Sequence, residues 1–182
     1  MSEPSAFVWD AREALAAAAN RGPVVDLACG RGRNALPLAR HGVRIVGFDR
    51  NGDHLGELAA AAKAEGLPIE LAQADFENPT SLPLGAGSCA ALIVCRYLHR
   101  PLCPALVEAL QPGGWLLYET FTRDQPKLGY GPKNEAFLLE AGELPRLFSG
   151  LEMAHHWEGV TDEAKPAAVA QLWARKPERG GA

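Results

Sequence analysis

Five residues have the types and spacing for ligand chemistry: Asp26, Gly30, Gly32, Asp49 and Asp75. In "VVDLACGRGRNAL" the Gly30-x-Gly32 pair lets backbone approach a ligand closely while the chain turns into a helix. Ala35 completes a relaxed G-x-G-x-x-G/A pattern, and Asp49 follows Gly30 by 19 residues, placed to accept from ribose hydroxyls. A nicotinamide dinucleotide and other adenosine ligands both satisfy that much. Asp26 separates them. It stands four residues before Gly30, where a pyrophosphate would meet a carboxylate. A ligand bearing an ammonium and a sulfonium would instead be favoured. In "QADFEN", the Asp75 carboxylate can accept from an adenine amino group while the Phe76 N–H donates to a ring nitrogen.

These residues need elements that bring them together. Short apolar runs at 23–29, 43–49, 68–75, 88–98 and 115–121 read as strands. Between them, 33–42, 51–66 and 100–114 read as helices, and Leu102, Leu106 and Leu110 share one face. An alanine-rich helix is expected over 7–21, and another over 135–150 with a break near Gly142. Two closing strands, 151–159 and 167–176, face each other across a hairpin. Strands alternating with helices indicate an α/β fold with a mostly parallel sheet. Such sheets bind ligands beyond the carboxyl ends of their strands. Asp26, Asp49, Asp75 and Cys95 all fall at or near such ends.

The 182 residues, 47% hydrophobic and 22% charged, fit one domain over 1–176 with a flexible tail over 177–182. A net charge of −4 lacks the basic footprint of a nucleic-acid binder, so nucleic acid is disfavoured as a partner. The four cysteines, Cys29, Cys89, Cys95 and Cys103, show no metal-ligand spacing and read as structural thiols. No metal site is expected. With no signal pattern at the N-terminus and no apolar run of membrane length, a cytoplasmic location is expected and no membrane partner. The composition leaves the oligomeric state open.

Taken in order, "VVDLACGRGRNAL", "VGFDRN", "QADFEN", "CRYLHRPL" and "LQPGGWLLYETF" resemble the successive motifs of class I S-adenosylmethionine-dependent methyltransferases. The likeness is strongest to the small tellurite-resistance-type group. This resemblance implies a Rossmann-like seven-stranded sheet of order 3-2-1-4-5-7-6, its last strand antiparallel, with helices on both faces. It implies S-adenosylmethionine as cofactor. Carried over, Gly30 and Gly32 flank the methionine moiety with Asp26 near its ammonium, and Asp49 holds the ribose hydroxyls. Ala28, Asn34 and Arg50 are further cofactor-binding candidates. Asp75 and Phe76 frame the adenine, and Cys95 and Arg96 close the pocket. The segment before the first strand is short, so a small lid is expected.

Methyl transfer is an in-line displacement at carbon, so the protein chiefly aligns the acceptor. His99, with Tyr97, is the candidate catalytic group, following the fourth strand where an acceptor would approach. Tyr118, Arg123 and Tyr130 are candidates for substrate binding. The long polar segment 122–134 also carries Lys127 and Lys133, which points to an anionic or aromatic small-molecule acceptor. Two other classes stay open: a non-catalytic S-adenosylmethionine-binding module, and an NAD-dependent oxidoreductase. His155, His156, Arg31 and Arg33 read as structural or solvated.

Overall fold

The computed structural model describes residues 3–78 and 80–178. Seven strands form one sheet in the order β3-β2-β1-β4-β5-β7-β6. They are β1 (Val24–Leu27), β2 (Ile45–Asp49), β3 (Ile69–Gln73), β4 (Cys89–Cys95), β5 (Leu110–Phe121), β6 (Glu152–Val160) and β7 (Ala168–Arg175). Pairings from β3 to β5 are parallel, and β7 runs antiparallel to both its neighbours. All four residues of β1 are buried because both faces of the sheet's middle are covered.

Alternation along the strands divides the core. On one face, Val24, Ile45, Ala91, Ile93 and Leu117 pack against α1 (Ala6–Asp10), α2 (Arg12–Ala19) and α3 (Ala35–Arg40). The other face sets Val25, Leu27, Leu92 and Val94 against α5 (Cys103–Ala109) and α6 (Glu143–Leu147). Leu55 and Leu58 of α4 (Gly52–Glu65) close a smaller cluster over Cys29 and Leu36. Leu102, Leu106 and Leu110 are all buried, as their spacing requires.

Four local expectations are corrected. The helix read over 7–21 is two helices meeting at Ala11. The one read over 33–42 begins only at Ala35, because the glycine turn extends to Asn34. The helix read over 100–114 starts as a 3₁₀ turn, Arg100–Leu102, and stops at Ala109, where β5 begins. The largest departure is at 135–150. Here a 3₁₀ turn at Glu135–Phe137 gives way to extended chain, and only α6 is α-helical. The cause is tertiary. Arg100 donates to the carbonyls of Ala136 and Leu138, each at 2.8 Å, and pairs with Glu143. Leu139 meanwhile bridges to Thr122 beside the end of β5. Of the tail expected to be flexible, residues 179–182 lie outside the described residues.

Candidate functional site

The carboxyl ends of β1, β2 and β4 meet at a tight turn. Ala28, Gly30 and Gly32 all adopt positive φ, at 55°, 55° and 80°. Gly32 is required twice over, because a Cβ there would lie 2.3 Å from Leu58 Cδ1. Asp49 holds the turn against β2: its Oδ2 accepts from the Gly30 N–H and its Oδ1 from the Asn51 N–H, both at 2.8 Å. Asn34 Oδ1 accepts from the backbone N–H of Ser5 at 3.0 Å, drawing the N-terminal segment over the turn.

Beside this turn lies a cavity of about 300 Å³. Ala28, Asp49, Arg50, Asp75, Phe76 and Arg96 contribute to its walls. Asp75 Oδ1 accepts from the Glu77 N–H at 2.9 Å, which shapes the loop after β3. Phe76 is buried edge-on between Phe48 and Tyr97, with centroids 6.3 and 6.2 Å away. The cavity therefore offers carboxylates on one side and an aromatic edge on the other.

Asp26 supplies the strongest electrostatic feature. It is 2% exposed and its Oδ2 has no hydrogen-bond partner. Burial, reinforced by the neighbouring Asp49 charge, pushes its carboxyl up from 3.8 to about 7. A buried carboxylate without a partner is costly, and a cation brought beside it removes that cost. Asp49, Asp75 and Phe76, which line the cavity, fit a ligand that presents ribose hydroxyls and an adenine. Asp26 is buried beside the turn and does not line the cavity. These carboxylates do not fit a pyrophosphate at the same turn.

At the end of β4, Arg96 adopts φ 58°, the only positive φ besides Ala28 among the described non-glycine residues. Such strain persists where surrounding structure imposes it, commonly at functional sites. Here the Arg96 N–H donates at 2.8 Å to the carbonyl of Glu119, whose side chain also engages Arg96. This β5 carboxylate is fully buried and pairs with Arg96 Nε at 3.3 Å. It also accepts from Ser5 Oγ at 3.2 Å and from Gln171 Nε2 at 2.8 Å. The Arg96 guanidinium lies over the Phe121 ring, 4.6 Å from its centroid. Arg96 and Phe121 also form the wall shared with a second, larger chamber of about 850 Å³. Cys95, next to Arg96, is partly buried, and burial together with the Glu119 and Asp26 charges pushes its thiol well up, which disfavours the thiolate.

The remaining sequence candidates disperse. Tyr97 lines the first cavity, and burial with the nearby Glu77 and Asp75 charges pushes its phenol up. His99 lines neither cavity; its Nε2 lies 2.9 Å from Thr80 Oγ1. Tyr118 is in the core, where its Oη donates to the Tyr97 carbonyl at 3.0 Å and its ring packs on Phe148. Arg123 pairs with Glu140 at 2.7 Å and Glu135 at 3.4 Å, away from both cavities. Tyr130 lines the larger chamber. Sequence reasoning missed Glu119, Ser5 and Phe121. A charged residue inside the apolar run "WLLYETF" was the available signal for the first. Among the described residues no cluster of His, Cys, Asp and Glu is arranged to hold a metal, and no helix is long and apolar enough to cross a membrane.

Comparison with known proteins identifies the family and the fold. The methyltransferase domain family matches residues 24–114, which run from the start of β1 into β5. An uncharacterized RNA methyltransferase of Parasynechococcus marenigrum is 36% identical over 101 residues, covering 53% of this chain and 21% of that protein. A probable S-adenosyl-L-methionine-dependent methyltransferase, TehB, of Haemophilus influenzae is 28% identical over 88 residues, covering 48% of this chain and 30% of the relative. The chain thus spans less than a third of the length of either curated relative. The crystal structure of TehB from Haemophilus influenzae superposes with a TM-score of 0.75 at 20% identity, covering 94% of this chain and 62% of that one, which shows a shared fold. The chain belongs to the methyltransferase domain family, and that membership implies S-adenosylmethionine as its methyl donor.

Proposed function

We propose that the protein transfers the methyl group of S-adenosylmethionine to a small-molecule acceptor. The observation that carries the donor half is Asp26, a buried carboxylate with one oxygen unpartnered beside the strained turn at Ala28 and Gly30. When bound, the donor supplies a methyl group on a sulfonium sulfur, already activated for displacement. The chain's own residues bind and align. Asp26 faces the ammonium end, Asp49 takes the ribose hydroxyls while holding the Gly30 turn, and Asp75 with Phe76 frames the adenine. Arg96 and Phe121 stand where the donor cavity gives way to the larger chamber, so an acceptor seated there is held against the donor. Holding two reactants in line is worth roughly 7–11 kcal/mol of barrier and needs no covalent participation by the protein.

The acceptor half rests on that chamber. Its walls come from the N-terminal segment, the glycine turn, the ends of β4 and β5, the loop after β5 and the β6–β7 hairpin. A concavity walled by separate segments of the chain offers contacts on several sides of a small molecule. Incubation with methyl-labelled S-adenosylmethionine and either a metabolite extract or total RNA tests this. Label is expected in a small metabolite; label in RNA at high salt and none in metabolites would contradict it.

A further inference from the structure

The larger chamber holds cationic and donor groups that the fold leaves uncommitted. Arg96 Nε lies 3.3 Å from Glu119 as an ion pair without a hydrogen bond, and one face of the guanidinium covers Phe121. Its side-chain nitrogens therefore have no protein hydrogen-bond partner among the described residues. Lys165, from the β6–β7 hairpin, has its ammonium 4.5 Å from the centroid of the Tyr130 ring and pairs with no carboxylate among the described residues. The Tyr130 hydroxyl is buried with no hydrogen-bond partner. All three residues line the same chamber.

The other charges there do not cancel this set. Glu163 is taken by Arg33 at 3.7 Å, and Arg33 also donates to the Glu3 carbonyl at 2.7 Å. Glu3 and Asp162 are exposed, as is Lys165, but neither carboxylate pairs with Lys165 or Arg96. The loop cations to which the sequence pointed are differently employed: Lys127 pairs with Asp124 at 2.5 Å, and Arg123 with Glu135 and Glu140. Tyr130 itself is held in place. Gln125, fully buried, donates to the Tyr130 carbonyl at 3.0 Å and accepts from the Ala168 N–H at 2.8 Å, joining the loop to the start of β7.

We propose that the chamber recognises an organic anion, with Arg96, Lys165 and the Tyr130 hydroxyl grasping its carboxylate or phosphate oxygens and Phe121 supporting its apolar body. Charge-assisted hydrogen bonds from a guanidinium and an ammonium are the strong ones, and a phenol hydroxyl adds a directed donor. This names the acceptor class for the methyl-transfer reading and rests on that reading. Arg96 then serves both cavities, setting the anion at the boundary where the methyl group is delivered. Glu119 is a positioning residue, acting through Arg96.

The test uses the full chain saturated with S-adenosylhomocysteine, titrated with benzoate, phenyl phosphate and neutral benzamide and followed by NMR. At least one anion is expected to bind tenfold or more tightly than benzamide, and the better of the two assigns the anionic group. Lys165→Gln and Tyr130→Phe are each expected to reduce that preference threefold or more, with S-adenosylhomocysteine affinity within twofold of wild type. Anions no tighter than benzamide, or a preference intact in both variants, would overturn the proposal. So would a tenfold loss of S-adenosylhomocysteine affinity in Lys165→Gln, which would give the site to the donor's own carboxylate. Failure of wild type to bind S-adenosylhomocysteine at all would instead remove the donor reading beneath it.

Discussion

The Gly30 N–H donates to Asp49 Oδ2 at 2.8 Å, joining the turn after β1 to the end of β2. One carboxylate therefore has two duties. It fixes the backbone of the turn, and in the proposed reading its remaining lone pairs take the donor's ribose. Structure and binding are coupled at this residue, so they must be measured together.

Asp49→Ala is expected to lower both stability and donor affinity. Two backbone donors, Gly30 N–H and Asn51 N–H, lose a charged acceptor, which costs about 1–3 kcal/mol. Loss of two ribose contacts weakens S-adenosylhomocysteine binding on the order of 100-fold. Chemical denaturation and calorimetric titration of the same variant check both numbers. Wild-type affinity in a destabilised protein would restrict Asp49 to the turn.

Asp26 makes the unliganded protein pH-sensitive. Its folded value, about 7, lies above its ordinary 3.8, so the folded state holds the proton more tightly. The stability linked to this group is complete below pH about 4 and is lost as pH rises through 7. Asp26→Asn removes that loss and stabilises the unliganded protein at pH 8 by up to about 4 kcal/mol. Donor binding carries the opposite sign, because the ligand's ammonium favours the ionised carboxylate. S-adenosylhomocysteine affinity should rise about tenfold from pH 6 to pH 8 in wild type and stay flat in Asp26→Asn. A flat wild-type profile would mean that the ammonium lies elsewhere.

Glu119→Gln keeps the shape of the buried side chain and removes the charge opposite Arg96. Loss of the countercharge to a largely buried arginine is expected to cost about 3 kcal/mol of stability, the lower end of buried-pair disruption, because Arg96 retains some solvent contact. The transfer rate should fall more than donor affinity, since Arg96 borders the acceptor chamber. Thermal unfolding and separate kcat and donor-Kd measurements check this; equal losses in both would make Glu119 a purely structural residue.

His99 is hydrogen-bonded to Thr80 and lines neither cavity. His99→Asn should therefore leave kcat within about threefold of wild type and cost about 1 kcal/mol of stability. A general base would be worth roughly 10²–10⁴ in kcat. A fall of that size would return His99 to catalysis.

The glycine turn and the strands around it were legible because their signals are local. Asp26, Gly30 and Gly32 lie within one turn of chain, and the apolar runs that carry them are buried on both faces. The acceptor half was not legible for the converse reason. Glu119 acquires its role from Arg96, Ser5 and Gln171, which are distant in sequence and meet only in the sheet. Helix propensity over 135–150 was overridden by Arg100, whose guanidinium takes carbonyls of Ala136 and Leu138 in an arrangement that local preference does not encode. Tyr118 failed as a pocket residue because alternation along β5 turns it toward α6 and Phe148.

The central claim is that the turn between Asp26 and Asp49 receives S-adenosylmethionine and not a dinucleotide. Calorimetric titration of the full chain at pH 8 with S-adenosylhomocysteine and, separately, with NAD tests it most directly. Saturable one-to-one binding of S-adenosylhomocysteine with no heat from NAD is the expected result. Tight NAD binding with none of S-adenosylhomocysteine would contradict the account.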